Sequence, residues 1–356
     1  MSNPILTSAI DALASRRDLS AEQTAEVLAE IMHGETSETQ IAGFLIALRT
    51  KGETVEEIAG LARTMRSLAA HVPVTRDDLL DTAGTGGGSS SFNVSTTAAL
   101  IAAGAGCAVA KHGNRSATSR SGSADLLEAL GARIDLEPAA VAACIEEAGF
   151  GFMFAPNHHQ ATRFVIPARR ELAVRTIFNL LGPLTNPAGA RRQLIGVSDA
   201  RHLDTMAGAL ALLGVDRALL VSGEDGLDEV SDSAPTRVVE VNGQEIRSYV
   251  ITPEEVGIDP DGAAAGASTP GGTPDENAAV TRVILNQSHS GGARPAGEAL
   301  ALVNAGAAIY AAGHAQTIRE GVERARAALA DGDAARALER FVDASRRHAP
   351  STGAPA

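Results

Sequence analysis

Two stretches of this chain concentrate the residue types that handle phosphate. Residues 81–97 read DTAGTGGGSSSFNVSTT, and residues 110–123 read AKHGNRSATSRSGS. Glycines 84, 86, 87 and 88 remove side chains where a chain must turn tightly and bring its amides close to an anion. Ser95, Thr96 and Thr97 follow where a helix begins, so that its free amides add to the same anion site. Lys111 supplies a compact cation, Arg115 and Arg120 offer planar forks at the site or on its rim, and His112 and Asn114 provide neutral hydrogen bonds for an organic substrate. Taken singly, these are a glycine turn, a surface lysine and a structural histidine. No G-x-x-x-x-G-K-[ST] is present, and GTGGG does not complete G-x-G-x-x-G.

The elements that must hold these stretches fall into two kinds. Up to about residue 70 the chain reads as helix. Ser20 with Gln23, Ser37 with Gln40 and Thr54 with Glu57 fit capping boxes, and Val27, Ile31, Ile41, Leu45, Leu48, Ile58, Leu61 and Met65 recur at helical spacing. From about residue 78, short apolar runs such as 107–110 and 218–221 alternate with helical stretches at 124–130, 138–147 and 202–213. That alternation predicts an α/β domain with a largely parallel sheet. Residues 259–272 read as a surface loop, 316–347 as helix, and 348–356 as a disordered tail.

Composition limits the possibilities. With 356 residues the chain accommodates one large domain and a smaller one. Its 43 acidic and 30 basic residues give a net charge of −13, which disfavours a general nucleic-acid-binding role. Cys107 and Cys144 cannot build a disulfide framework, and no stretch has the apolar length of a membrane span or the pattern of a leader, so a cytoplasmic protein with no membrane partner is expected. His158 and His159 are adjacent and do not share a helix face, which argues against a zinc site.

The order and separation of GTGG at 84–87, FNVST at 92–96, KHGNR at 111–115, SGSADLLEALG at 121–131, RTIFNLLGPLTNP at 175–187 and DGLDEVS at 225–231 resemble those of the anthranilate phosphoribosyltransferases. The resemblance implies a small all-helical domain plus a large α/β domain of the kind shared with nucleoside phosphorylases. The small domain would comprise residues 1–70 joined by a helical excursion near 168–190, and the large one residues 71–167 and 191–347. It further implies transfer of a phosphoribosyl group from phosphoribosyl pyrophosphate to the amine of anthranilate. A homodimer formed through the small domains and a separate anthranilate synthase partner are implied as well.

By the same resemblance, Gly84, Gly86, Gly87, Asn93, Ser95, Thr96, Lys111 and Ser123 contact phosphoribosyl pyrophosphate, while Gly84, His112, Asn114 and Arg169 contact anthranilate. Asp228, Glu229 and Ser95 hold magnesium, with two ions expected. No residue acts as a catalytic acid or base. On charge alone Arg169, Arg170 and Arg175 are indistinguishable, and GEDGLDE reads simply as an acidic turn. One departure stands out: the family loop continues GTGGDG, whereas GTGGGSSSFN lacks the aspartate and is one residue shorter. A pyrimidine nucleoside phosphorylase-like enzyme and a non-catalytic nucleic-acid-binding relative of the same fold are the competing readings.

Overall fold

The computed structural model describes residues 2–88, 91–116, 119–259, 270–286 and 295–350. It opens on four helices, α1 (Pro4–Ala14), α2 (Ala21–His33), α3 (Glu38–Lys51) and α4 (Val55–Ser67). Ser20 and Thr54 accept from the amides of Gln23 and Glu57, and those side chains return to the cap amides, closing both boxes. At Ser37 only half of the expected box forms. The Gln40 carboxamide instead pairs with both main-chain groups of Asn3, at 3.0 and 2.9 Å, and so ties the start of α3 to the start of α1.

The α/β region runs β1 (Leu80–Gly84), α5 (Val94–Gly104), β2 (Val109–Gly113), α6 (Ser123–Ala129), α7 (Pro138–Ala148) and β3 (Phe150–Phe154). Short helices α8 (Ala155–His158), α9 (Ile166–Leu172) and α10 (Phe178–Leu181) follow, and then β4 (Arg192–Gly196), α11 (Leu203–Leu212) and β5 (Arg217–Gly223). A hairpin of β6 (Thr236–Asn242) and β7 (Glu245–Ile251) precedes α12 (Pro274–Leu285), α13 (Glu298–Ala311), α14 (Ile318–Ala330) and α15 (Asp333–His348). Residues 260–269 of the expected surface loop and 351–356 of the expected tail lie outside the described residues.

The strands form one sheet in the order β3-β2-β1-β4-β5-β6-β7, parallel through β5 and antiparallel beyond it. Successive strands step one way from β1 through β2 to β3 and the other way from β4 to β5. The order therefore reverses between β1 and β4, and a crevice opens at their carboxyl ends, where α/β sheets bind ligands. β2 begins at Val109, later than the apolar run starts, and continues through Lys111 and His112, which sit inside the ladder beside Phe152 and Met153.

Period-two alternation splits the sheet between two cores. Leu194, Leu219, Val221 and Val238 face one layer that includes α5 and α13, while Ile195, Ala218, Leu220, Val239 and Val241 face α11 and the helical bundle. The second core also takes Val165, Ala168, Ile177, Phe178, Leu180, Leu181 and Leu184, so the short helices after β3 pack with the N-terminal bundle. Both cysteines are buried, and desolvation pushes their thiols up to about 12. Among the described residues no helix is long and apolar enough to cross a membrane.

Candidate active site

The glycine-rich loop leaves the end of β1 at the point where the strand order reverses. Thr85 anchors it to β4: its amide donates to Gly196 O at 2.9 Å, and its hydroxyl accepts from the Ser198 amide at 3.1 Å. Gly86 and Gly87 have φ of 64° and 82°, a left-handed path that favours glycine. Space matters as much as φ. A Cβ at Gly87 would lie 2.2 Å from Arg175 Nη1, and one at Gly88 would lie 2.4 Å from Asp228 Oδ1. The loop is thus pressed between a cation on one side and a carboxylate on the other.

The first turn of α5 lies just beyond. Asn93 occupies its cap position but makes no side-chain cap bond; its Oδ1 accepts from Ser121 Oγ and Asn277 Nδ2, and its Nδ2 donates to Ser121 O. The Ser95 and Thr96 amides donate to no described residue, and the buried Thr96 hydroxyl has no partner among them. Unsatisfied amides at a helix start form an anion site.

Beneath this turn lies a buried charge pair. Lys111 is 1% exposed; its ammonium donates to Thr82 O, and at 3.3 and 3.4 Å to the hydroxyls of Thr82 and Ser95. Desolvation lowers its pKa to about 8, and Asp81 and Glu229 resist that fall. Asp81 is fully buried and accepts from the His112 amide at 3.0 Å and from Asn186 Nδ2 at 2.8 Å. Desolvation raises it to about 6 against the pull of Lys111. His112 donates through Nδ1 to Gly182 O at 3.2 Å, and burial holds the ring near 3, so it is neutral, and its Nε2 has no partner among the described residues.

The acidic segment after β5 completes this side. Asp228 is half-buried; desolvation raises its pKa, although Arg175 and the Gly86 amide favour the carboxylate. Glu229 is raised well above its ordinary value by desolvation and then by Asp228, with Lys111 opposing. Two adjacent carboxylates that oppose each other's ionisation, next to an anion cradle, suit a hard divalent cation whose remaining ligands are waters and phosphate oxygens. Among the described residues no group of three or more His, Cys, Asp or Glu could hold a metal without such help.

The opposite wall comes from the short helices. The Arg169 guanidinium stacks on Phe178 at 5.2 Å, desolvation lowers its pKa, and no described carboxylate pairs with it. Arg170 is exposed. Arg175 instead reaches the loop: it donates to Thr85 O at 3.3 Å while Arg49 Nη1 holds its carbonyl at 2.8 Å. Structure thus separates three arginines that charge alone leaves equivalent. Phe178 and Gly182 lie on adjoining turns, which links Arg169 to His112.

The remaining sequence candidates sit on the rim. Asn114 is exposed; its Oδ1 accepts from the Arg115 amide, and Ser123 Oγ donates to its carbonyl at 3.3 Å. Arg115 is committed to Asp125 and Glu128 at 2.7 and 2.6 Å, which excludes it from the anion site, and Arg120 lies 3.6 Å from Glu276. Sequence reasoning missed Asp81, Thr82, Asn186, Asn277 and Thr281. Only Asp81 carries a signal, an acid inside an apolar run that leads into the glycine loop.

Comparison with known proteins assigns both halves of the molecule. Residues 7–69 match the helical bundle domain of a glycosyl transferase family, and residues 76–335 match its a/b domain. An anthranilate phosphoribosyltransferase from Rubrobacter xylanophilus is 51% identical over 347 residues, covering 96% of this chain and 98% of its own. The one from Symbiobacterium thermophilum is 48% identical, covering 94% and 96%. Among solved structures, the anthranilate phosphoribosyltransferase of Thermus thermophilus superposes with a TM-score of 0.86 at 47% identity, covering 95% of this chain and 99% of that one. The Saccharomyces cerevisiae enzyme, solved with PRPP and Mg, gives 0.85 at 28% identity, covering 97% and 99%.

Proposed function

The chain belongs to the anthranilate phosphoribosyltransferase family, and from that premise we propose how its residues divide the work. The reaction moves the 5-phosphoribosyl group of phosphoribosyl pyrophosphate to the amine of anthranilate with release of pyrophosphate, a step of tryptophan biosynthesis. The observation that carries the assignment of roles is the set of unpaired donors at the head of α5, opposed across the glycine loop by Asp228.

Gly84, Gly86, Gly87, Asn93, Ser95, Thr96 and Ser123 line the phosphoribosyl pyrophosphate side. Thr96 contributes its amide, since its hydroxyl is buried. Lys111 acts from beneath: it holds Ser95 and places a positive charge behind the cradle. Asp228 and Glu229, with the Ser95 hydroxyl, would hold magnesium, and two ions fit the reading. When bound, the metal neutralises the pyrophosphate as it departs. The other wall takes anthranilate. Arg169, partly buried and with no acidic partner among the described residues, offers its fork to the carboxylate, while His112, Asn114 and the edge at Gly84 orient the ring.

The aryl amine is neutral near pH 7 and attacks C1 without a general base, so rate enhancement rests on charge placement and alignment. The shortened GTGGG loop places Gly88 where a side chain would strike Asp228, which gives the missing aspartate a steric counterpart. A homodimer through the small domain is part of this reading. Ile5, Ile46 and Ile166, all exposed and carried on the contacting helices α1, α3 and α9, support it. A separate anthranilate synthase is the partner that would supply the acceptor.

Purified protein mixed with anthranilate, phosphoribosyl pyrophosphate and magnesium should show magnesium-dependent loss of anthranilate fluorescence, and a flat trace would overturn the reading. Inserting aspartate after Gly87 should change the magnesium titration. Superimposable curves would make the loop departure energetically silent.

A further inference from the structure

We propose that Asn277 and Thr281, on α12, are positioning residues that keep the head of α5 open for the phosphorylated substrate, Asn277 doing so by holding Asn93 away from its own helix. Five other helices show what a cap looks like in this protein. Ser20, Ser37, Thr54, Thr273 and Thr317 each have ψ between 152° and 165°, and each accepts from the amide three residues on. Asparagine is among the strongest caps, yet Asn93 has φ −72° and ψ 67°, and Val94 donates back to Phe92 O at 2.7 Å. That is an inverse γ-turn, and it leaves the amides of Ser95 and Thr96 uncapped.

The side chain that should cap is occupied elsewhere. Both lone pairs of Asn93 Oδ1 are taken, by Asn277 Nδ2 at 2.8 Å and Ser121 Oγ at 3.0 Å. Backbone groups fix the polarity at each end, because Gly272 N–H donates to Asn277 Oδ1 at 2.8 Å and Ser121 C=O accepts from Asn93 Nδ2 at 3.1 Å. Flipping either carboxamide would set donor against donor or acceptor against acceptor. A second relay arrives one turn later. Thr97 Oγ1 donates to Asn93 O at 3.1 Å and so receives its bond from Thr281 Oγ1 at 2.9 Å. Asn277 is 3% exposed and Thr281 fully buried, so water does not substitute for either group.

The inference rests on reading the site as one for phosphoribosyl pyrophosphate. Freed from Asn277, Asn93 turns to cap α5 and competes with the substrate for the same amides. A cap is worth about 0.5–2 kcal/mol, so KM for phosphoribosyl pyrophosphate should rise roughly 2- to 30-fold. In Asn277→Ala and Asn277→Asp this rise is expected with KM for anthranilate unchanged. Thr281→Val should follow the same pattern and Thr281→Ser should restore the wild-type value. In an Asn93→Ala background the Asn277→Ala effect should vanish.

Amide hydrogen exchange on the free protein gives a readout independent of turnover, with exchange at Ser95 and Thr96 slower in Asn277→Ala than in wild type. A lowered melting temperature with unchanged KM and unchanged exchange would reduce both residues to structural support and overturn the proposal. A wild-type protein that fails to turn over defeats the reading of the reaction alone, and the exchange rates then decide the inference.

Discussion

The starts of α2 and α4 and the start of α5 solve the same problem in opposite ways. Each exposes amides that its own helix cannot satisfy. In the bundle, Ser20 and Gln23 close one set and Thr54 and Glu57 the other. Glu57 goes further and accepts from the Leu19 amide at 3.0 Å and from Lys51 at 3.0 Å. At α5 the cap residue is turned aside, Thr96 Oγ1 and His112 Nε2 have no partner among the described residues, and Asp228 and Glu229 are half-buried beside each other. A polar group satisfied by the fold contributes to stability, whereas one left open costs stability until a ligand fills it. The heads of α2 and α4 are therefore of the first kind and the head of α5 of the second.

The largest expected effect breaks the bundle side. Glu57→Ala strands the buried Leu19 amide and the half-buried Thr54 amide and takes one partner from Lys51, whose side chain is 5% exposed, so chemical denaturation should report a loss of about 3–5 kcal/mol. Below the new melting temperature kcat/KM should be unchanged, and a proportionate loss of activity would erase the contrast between the two regions. The crevice side should answer inversely. Asp228→Asn should lower kcat/KM for phosphoribosyl pyrophosphate about 100- to 1000-fold, as when a positioned electrostatic group is removed. It should leave stability equal or higher, because a desolvated charge beside Glu229 has gone. A destabilised variant would mean that the acidic pair is structural.

The seam between the regions predicts a pH effect of about 2 kcal/mol. Burial holds the His159 ring at about 4, against an ordinary value of 6.5, while Nε2 donates to Thr185 O at 3.1 Å. Above pH 6.5 the ring is neutral in both folded and unfolded chains and the full stability is present. As pH falls from there toward 4, the unfolded chain takes up a proton that the folded one refuses, and stability drops by about 2 kcal/mol at pH 5. His112 and His158 act in the same direction, and Asp81, raised to about 6, acts in the opposite one. His159→Gln isolates one ring, so the stability gap between wild type and variant should shift by that amount between pH 7 and 5. A constant gap would show that the ring is protonated as readily inside as outside.

What was legible in the sequence follows the same division. Caps, helical stripes and the glycine loop are local patterns, and the family motifs place the crevice residues in order. The β6–β7 hairpin also has a local signal, a two-residue turn with Gly243 at φ 59° between alternating runs, which the sequence expectations omit. The Ser37 box fails for a reason outside any window, since Asn3 competes for Gln40 from 37 residues away. Asn277 and Thr281 lie 184 residues from the side chains they hold. No spacing rule reaches that far, and a buried asparagine on a helix is indistinguishable in sequence from a surface one. The same holds for Asn186, which bonds Ala110 O on β2 and Asp81 Oδ2 on β1 from 76 and 105 residues away.

The smallest expected effect sharpens the comparison most directly, because it concerns a single cap. Ser20→Ala removes the acceptor for the Gln23 amide at the head of α2 and should cost about 1 kcal/mol. Its partner Gln23 still reaches the Ser20 main chain at 2.9 Å, so half of the box survives and the loss should not exceed that figure. No atom of Ser20 adjoins the glycine loop, the Lys111 pair or the Arg169 wall, so both substrate KM values should be unchanged. A cap that stabilises without touching affinity at α2, set against a cap position at α5 where affinity should respond to Asn277, separates the two uses of one local motif. If Ser20→Ala altered the KM for phosphoribosyl pyrophosphate, bundle and crevice would be one cooperative unit, and the distinction between satisfied and reserved polar groups would lose its meaning.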